Sequence, residues 1–356
     1  MAKKKKIHFK ESIGLDIGTH SIKLVHLKHQ HNNFKLLNYD VRSTIPEGLE
    51  QTPSDLSPDR FAPVLASMLK SLKINPKKVK HLVSSIGGDN TSIKQIKTIF
   101  LPDDELESAL FFEAKKHLPI SGSEMILDFQ VLSVEERTNN MNILLASATK
   151  TLLSQHTDIL TAVGLTPGIV DIESLAVANS FLLNTFFEDG VYILLNIGAF
   201  KSNLVIFGPK SKYFARDIAW GGYHFTKDIM KKNKVSFEEA ENQKLDNGLK
   251  HEQKKDDASS LLSLDISEKS TEEQLAMEVK RSLRYYVKDA GNSNFQKIVI
   301  VGGGSKLKGL PEYLQSQLNI DVEVFSSFSN LETSSQFSGN IDPQFALALG
   351  LAMREE

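Results

Sequence analysis

Cysteine is absent from all 356 residues. That excludes disulfides, thiolate metal sites and a cysteine nucleophile, and it suits a reducing compartment. No apolar run approaches the roughly 20 residues that span a bilayer. Charge of one sign is missing too. With 42 basic side chains against 44 acidic ones, no global field recruits nucleic acid. The opening MAKKKKIHFKES has lysines but no apolar h-region, so it is not read as a secretory signal. Residues 1–12 are read as a solvated basic tail; docking of its lysines on anionic lipid, at about 1 kcal/mol each, is the alternative. What is present is ordinary for a folded chain of two domains: 40% hydrophobic and 24% charged residues.

The chain carries one short unit twice. ILLNIGAFKSNLVIF (193–207) repeats IGLDIGTHSIKLVHL (13–27) at an offset of 180 residues. Ile13 meets Ile193, Leu15 meets Leu195, Gly18 meets Gly198, and Leu24 and Val25 meet Leu204 and Val205. Each copy is an apolar run, a glycine turn and a second apolar run, which predicts a β-hairpin. Asp16 faces Asn196 across the alignment, a carboxylate against an amide.

Between the copies, LPDDELESALFFEAKKHLP predicts a helix with acids at its start and bases at its end, stopped by Pro119. Leu106, Leu110, Ala114 and Leu118 recur at i+4 and form a core-facing stripe. The strand patterns MILDFQVL and NILLASAT and a helix over about 150–163 follow, and residues 91–166 read as an inserted α+β subdomain. KIVIVGGGSKLKGLPEYLQSQL is strand, glycine turn and helix, with Pro311 in the first helical turn. Residues 246–273 are charge-dense with little periodicity and read as a surface insertion. PQFALALGLAMR closes the chain as a small-residue helix expected against the first domain.

Glycine at a strand–strand bend leaves backbone N–H groups open to an anion. In the first unit Gly18 makes the bend, Thr19 and Ser21 add hydroxyls, and Lys23 adds a charge. Asp16 is placed to hold magnesium through its waters. In the second, Gly198 bends the chain, with Asn196, Lys201, Ser202 and Asn203 beside it. Two facing hairpins would grip a triphosphate from both sides. Gly302, Gly303 and Gly304, followed by Lys306, would let backbone approach a flat nucleobase. A P-loop is excluded because Leu310 and Pro311 stand where Lys and Ser/Thr are required, and no GxGxxG opens a helix after a strand.

Hairpin, hairpin and glycine loop, in that order, resemble the actin-like ATPase superfamily. Within it, the chain is most similar to the PilM family of type IV pilus assembly, close to FtsA. FFEAKKHLPISGSEMILDFQVL, VGLTPGIVDIESLAVANSF, YFARDIAWGGYHFTKDI and PQFALALGLAMR carry that resemblance alongside the motifs above. It implies an α/β, ribonuclease-H-like duplicated, two-lobed fold with an FtsA/PilM-type inserted subdomain. The implied parts are first-lobe core 13–90, insertion 91–166, a return to the first lobe at 167–190, second-lobe core 191–227 and 296–340, second-lobe subdomain 228–295, and C-terminal helix 341–356. It implies ATP and Mg2+ as cofactors. Asp16, Gly18, Thr19, Ser21 and Lys23 then match the first phosphate motif, Asn196, Gly198 and Ser202 the second, Gly302, Gly303, Gly304 and Lys306 the adenosine loop. Glu241 and Lys244 match a ribose- and base-contacting pair, and Asp171 or Glu173 falls where a polar residue orients water. Where the family pattern has Asp, this chain has Asn196, so hydrolysis is expected to be slow or absent.

The resemblance further implies a partner, the N-terminal tail of a PilN-like inner-membrane protein held in a groove beside the inserted subdomain, with Phe111, Phe112 and Leu118 as candidate lining. Other pilus inner-membrane and motor components would follow, at a cytoplasmic site peripheral to the inner membrane, with self-association left open. Two other readings share the fold: a small-molecule kinase, which needs a base such as Asp171 or Glu173 and a substrate pocket, and an FtsA- or MreB-like filament protein. The ending LAMREE has no amphipathic helix of the FtsA kind, which sets the expectation against that role. A metal site at His26, His29 and His31 is a minor alternative.

Overall fold

A computed structural model describes residues 9–30, 33–45, 57–117, 125–184, 189–249, 269–333, 337 and 342–354. The first repeat forms β1 (Glu11–Ile17) and β2 (Ser21–Gln30), paired antiparallel with Asp16 opposite Lys23. β3 (Asn33–Ser43) extends the sheet beyond β2, while β4 (Leu82–Ile86) and β8 (Ile169–Ile172) add parallel strands beyond β1, giving the order β3-β2-β1-β4-β8. The second repeat forms β9 (Val191–Ile197) and β10 (Ser202–Gly208), joined by β11 (Ser211–Ile218), β12 (Phe295–Val301) and β13 (Val322–Val324) in the order β11-β10-β9-β12-β13. The two sheets share one topology, three antiparallel strands followed by two parallel ones. The repeat seen over two strands is therefore a repeat of whole sheets.

Each sheet is covered on its outer face by its own helices. Ile13, Ile17 and Leu24 pack with Phe61 and Leu65 of α1 (Pro58–Ser71) and with Ile159 and Leu160 of α3 (Lys150–Ala162). Ile193, Leu195 and Ile300 pack with Leu275 and Val279 of α7 (Thr271–Ala290) and Leu314 of α8 (Leu310–Leu318). Between the sheets lie α4 (Glu173–Asn184) and α9 (Ala346–Ala352). Here Ala176, Phe181 and Leu351 meet Val83 of the first sheet and Leu194 and Val299 of the second. Full burial of such side chains stabilises by about 1.5–3 kcal/mol each. The small residues of α9 have a reason: a Cβ on Gly14 would collide with the carbonyl of Ala348, and one on Gly350 with that of Ala176. The strand, α9 and α4 thus approach almost backbone to backbone.

A third sheet, in the order β5-β7-β6, comprises β5 (Thr91–Ile99), β6 (Met125–Glu135) and β7 (Asn140–Thr149). Helix α2 (Asp103–His117) lies on it through Leu106, Leu110 and Ala114, the stripe read from the i+4 spacing; Leu118 lies outside the described residues. The structure differs from the expected 91–166 unit at its end. Helix α3 and Leu165 pack into the first-sheet core, so the small unit is built on the strands up to 149. An apolar helix face does not say which of two neighbouring cores it joins.

In the charged stretch, α6 (Phe237–Asn247) continues past 246 and α7 begins at Thr271. Both starts carry a Ser-x-x-Glu capping arrangement, with Glu239 accepting from the Ser236 N–H and Glu273 from the Ser270 N–H. The remaining part of the expected insertion, 250–268, lies outside the described residues, as do His31 and Lys3 to Lys6 of the basic tail. The sheet itself begins at Glu11, inside the expected tail.

Candidate nucleotide site

The two hairpin turns close the same way. Gly18 N–H donates to the carbonyl of Ser21 (3.2 Å), and Gly198 N–H to that of Lys201 (3.0 Å). A Cβ on Gly18 would lie 3.0 Å from the Ser21 carbonyl oxygen and one on Gly198 2.9 Å from that of Lys201, so both bends favour glycine. In the first turn Lys23 Nζ donates to Asp16 Oδ2 at 2.9 Å, and both groups are largely shielded from solvent. The Thr19 carbonyl accepts from Thr44 Oγ1 (2.7 Å) and Arg60 Nη2 (3.0 Å), which braces the turn from the residue after β3 and from α1. Ser21 is buried.

In the second hairpin the charge is rearranged. Asn196, Asn203 and Asp217 stand in one register row across β9, β10 and β11. Asn203 Nδ2 donates to Asp217 Oδ1 at 2.7 Å, while Asn203 Oδ1 is buried without a hydrogen-bond partner. Ser202 is fully buried and its hydroxyl donates to the Trp220 carbonyl at 2.6 Å, so that proton is committed within the protein. Trp220 is half-buried against the second core, beside His224. The N-terminus of α5 (Gly222–Asn233) docks on the turn: Gly222 N–H donates to Gly198 O and Tyr223 N–H to Ala199 O.

Glu241 and Lys244, on one face of α6, pair at 2.7 Å, and Thr226 of α5 donates to Glu241 at 2.6 Å. Lys244 also reaches Thr226 Oγ1 (2.9 Å) and the Gly222 carbonyl (3.3 Å), placing the pair beside the second turn. In the glycine loop, Gly302 has φ +86°, and a Cβ there would collide with Asn196 Oδ1 and lie 2.6 Å from the Ile197 carbonyl oxygen. A Cβ on Gly304 would collide with the Ile197 side chain, while one on Gly303 would meet nothing within 4 Å. Two of the three glycines are therefore required by packing against β9, and Gly303 alone faces open space. Lys306 pairs with Asp342 at 3.3 Å.

The two halves meet at Lys201. Its ammonium is 3.4 Å from Glu173 Oε2 at the start of α4 and 3.5 Å from Asp217 Oδ2 on β11. Burial pushes the Glu173 carboxyl above its ordinary value against the pull of Lys201, and the negative charges of Asp16 and Asp217 add to the rise. Burial works to lower the Lys201 pKa, but Glu173 and Asp217 outweigh it and hold the ammonium firmly protonated. Asp171, the other water-orienting candidate, is turned away: it is buried and paired with Arg354 at 2.6 Å. Burial raises its pKa, and Arg354 opposes the rise. Among the described residues no cluster of three or more His, Asp or Glu is placed to ligate a metal, and His29 instead meets the Ser12 hydroxyl at 2.7 Å.

Asn196 thus stands with Gly302, Gly198 with Gly222 and Lys244, and Asp16 within electrostatic reach of Glu173. Asp217, Arg60 and the Gly87–Gly88 step after β4 join them from outside the sequence motifs. The last had a signal, an apolar run ending in Gly-Gly; Asp217 had none, since its role comes from strand neighbours. Away from the cleft, a groove of about 360 Å³ opens between α2 and β6, lined by Phe111, Phe112, Met125 and Leu127. Phe111 packs partly on the core, whereas Phe112 is 65% exposed.

Two like sheets with α4 and α9 between them, each carrying a hairpin closed by a glycine turn, define a two-lobed actin-like fold. The structure of a PilM–PilN type IV pilus biogenesis complex superposes with a TM-score of 0.78 at 24% identity, covering 96% of this chain and 98% of the other. The ethanolamine utilization protein EutJ from Carboxydothermus hydrogenoformans gives 0.52 at 16% identity, over 98% and 91%. Residues 14–356 match the family model described as type IV pilus assembly protein PilM, and the chain belongs to that family.

Proposed function

We propose that the chain binds magnesium–ATP between its lobes and, so loaded, acts as a scaffold for pilus assembly that captures an extended peptide from the cytoplasmic tail of a PilN-like membrane protein. The observation that carries the nucleotide reading is the pair of matched glycine turns, the second of which holds Lys201 against Glu173 at the end of the first sheet. The residues suit a hydrated magnesium nucleotide. Asp16 offers a carboxylate at the first turn, Asn203 Oδ1 is a buried acceptor with no protein partner, and Gly303 leaves backbone open beside the Glu241–Lys244 pair's lobe. Gly18, Thr19, Ser21 and Lys23 would hold phosphate from one side and Asn196 and Gly198 from the other. Magnesium, when bound, offsets the phosphate charge.

Slow hydrolysis is supported by one feature: Asn196 brings no charge to the second turn. Peptide capture is supported by family membership and by the groove at Phe112, where aromatic side chains stand beside Glu107 and Ser108. No helix among the described residues is long and apolar enough to cross a membrane, so membrane contact is assigned to the partner. The test is a titration with magnesium–ATP, following heat and Trp220 fluorescence, with phosphate release recorded in parallel. Saturable binding with negligible release is expected. No heat and no fluorescence change would overturn the nucleotide reading.

A further inference from the structure

We infer that Lys201 is the residue by which the site distinguishes a nucleoside triphosphate from a diphosphate, through exchange of its ammonium between Glu173 and a terminal phosphate. The inference rests on the nucleotide reading above and assigns it a selective group.

The geometry singles out this lysine. Lys23 is held by Asp16 at 2.9 Å, and Lys244 by Glu241 at 2.7 Å with Thr226 beside it. Lys201 has two acceptors, Glu173 at 3.4 Å and Asp217 at 3.5 Å, both longer than a tight charge-assisted hydrogen bond of about 2.7–2.9 Å. Its side chain is 38% exposed. It is held loosely by design of the surroundings: a Cβ on Gly88 would stand 3.0 Å from Nζ, and one on Gly87 would collide with the Glu173 carboxylate. The Gly87–Gly88 step is thus cut back to admit this bridge.

The position also fits. Lys201 lies in the second hairpin turn, the one that meets the far end of a phosphate chain if the first turn grips its nearer part. A terminal phosphate arriving there carries two negative charges, against the single charge of each carboxylate, and a lysine is a natural point-charge partner for it. A diphosphate lacks that group and leaves the Lys201–Glu173 contact in place. Because Glu173 opens α4 after the first sheet and Lys201 belongs to the second, the exchange also releases a tie between the lobes.

The experiment is calorimetry of ATP and ADP, each with magnesium, on the full chain and on Lys201→Gln, Lys201→Arg and Glu173→Gln. Lys201→Gln is expected to weaken ATP binding by about tenfold while ADP affinity stays within about twofold. Lys201→Arg should restore most of the preference. Glu173→Gln removes the competing carboxylate and should strengthen ATP binding a few-fold, an outcome that a merely structural bridge would not produce. An unchanged ATP-to-ADP ratio in Lys201→Gln, with both nucleotides still bound, overturns the assignment of Lys201 alone. Failure of the wild-type chain to bind either nucleotide overturns the nucleotide reading itself and this inference with it.

Discussion

The side-chain oxygen of Asn196 fills the space that a Cβ on Gly302 would need, so the second hairpin turn and the glycine loop are fitted to each other as one part. Gly302→Ala is therefore expected to destabilise by about 2–4 kcal/mol, from the collision and from its φ of +86°. Gly303→Ala meets no atoms, so its unfolding midpoint in urea should match wild type while its nucleotide affinity falls. Equal midpoints for both variants would refute the fit.

Asn196→Asp gives the second turn the carboxylate that Asp16 supplies at the matching position of the first. Phosphate release should rise by about tenfold or more, since a lost transition-state contact of this kind is worth on the order of 100-fold. A release rate that stays at the wild-type level would overturn the role proposed for Asn196.

His156, buried in α3 and bonded to the Ser84 hydroxyl at 2.8 Å, has its pKa lowered by burial to about 4, with Asp16 opposing. The unfolded chain takes up this proton near the ordinary value of 6.5, so the unfolded state binds more protons between those limits. Stability is thus present above pH 6.5 and is lost as pH falls towards 4, by about 3 kcal/mol for this group. His156→Gln keeps a partner for Ser84 and should flatten that acid limb in urea denaturation measured across pH.

Removing Arg354 leaves Asp171 buried without its cation. Arg354→Ala should cost about 2–3 kcal/mol at neutral pH. Burial holds the Asp171 pKa above 3.8 in the folded state, and loss of Arg354 raises it further, so the folded state then binds the proton more tightly. The deficit should shrink as pH falls towards the unfolded value. A deficit independent of pH would assign the loss to packing of the C-terminal segment.

Phe112 is exposed at the lip of the α2–β6 groove. Phe112→Ser is expected to leave stability within about 0.5 kcal/mol, since no core contact is lost. Its affinity for a synthetic PilN-like tail peptide should drop by about tenfold if the groove is the docking site. Unchanged affinity by fluorescence anisotropy would move the peptide elsewhere.

Much of the architecture was legible because it is written in short-range patterns. The hairpins follow from apolar runs around Gly18 and Gly198, and α2 from Leu106, Leu110 and Ala114. The site was legible only as far as its motifs. Gly302 and Gly304 were read as room for a base, yet they answer to Asn196 and Ile197. Ser202 was read as a phosphate donor, yet its proton goes to the Trp220 carbonyl. Asp171 and Glu173 were interchangeable on paper, and two positions along the chain turned one to Arg354 and the other to Lys201.

The sequence alone determined that a strand-turn-strand unit occurs twice, that one copy carries Asp16 and the other Asn196, and that no thiol chemistry is available. Those properties depend on residue identity and on neighbours a few positions away. Tertiary structure decided that α3 joins the first core, that α4 and α9 lie between the lobes, and that Lys201 meets Glu173 and Asp217. These depend on side chains far apart in the chain being brought within a few ångströms by sheet register and helix packing, which no local pattern encodes.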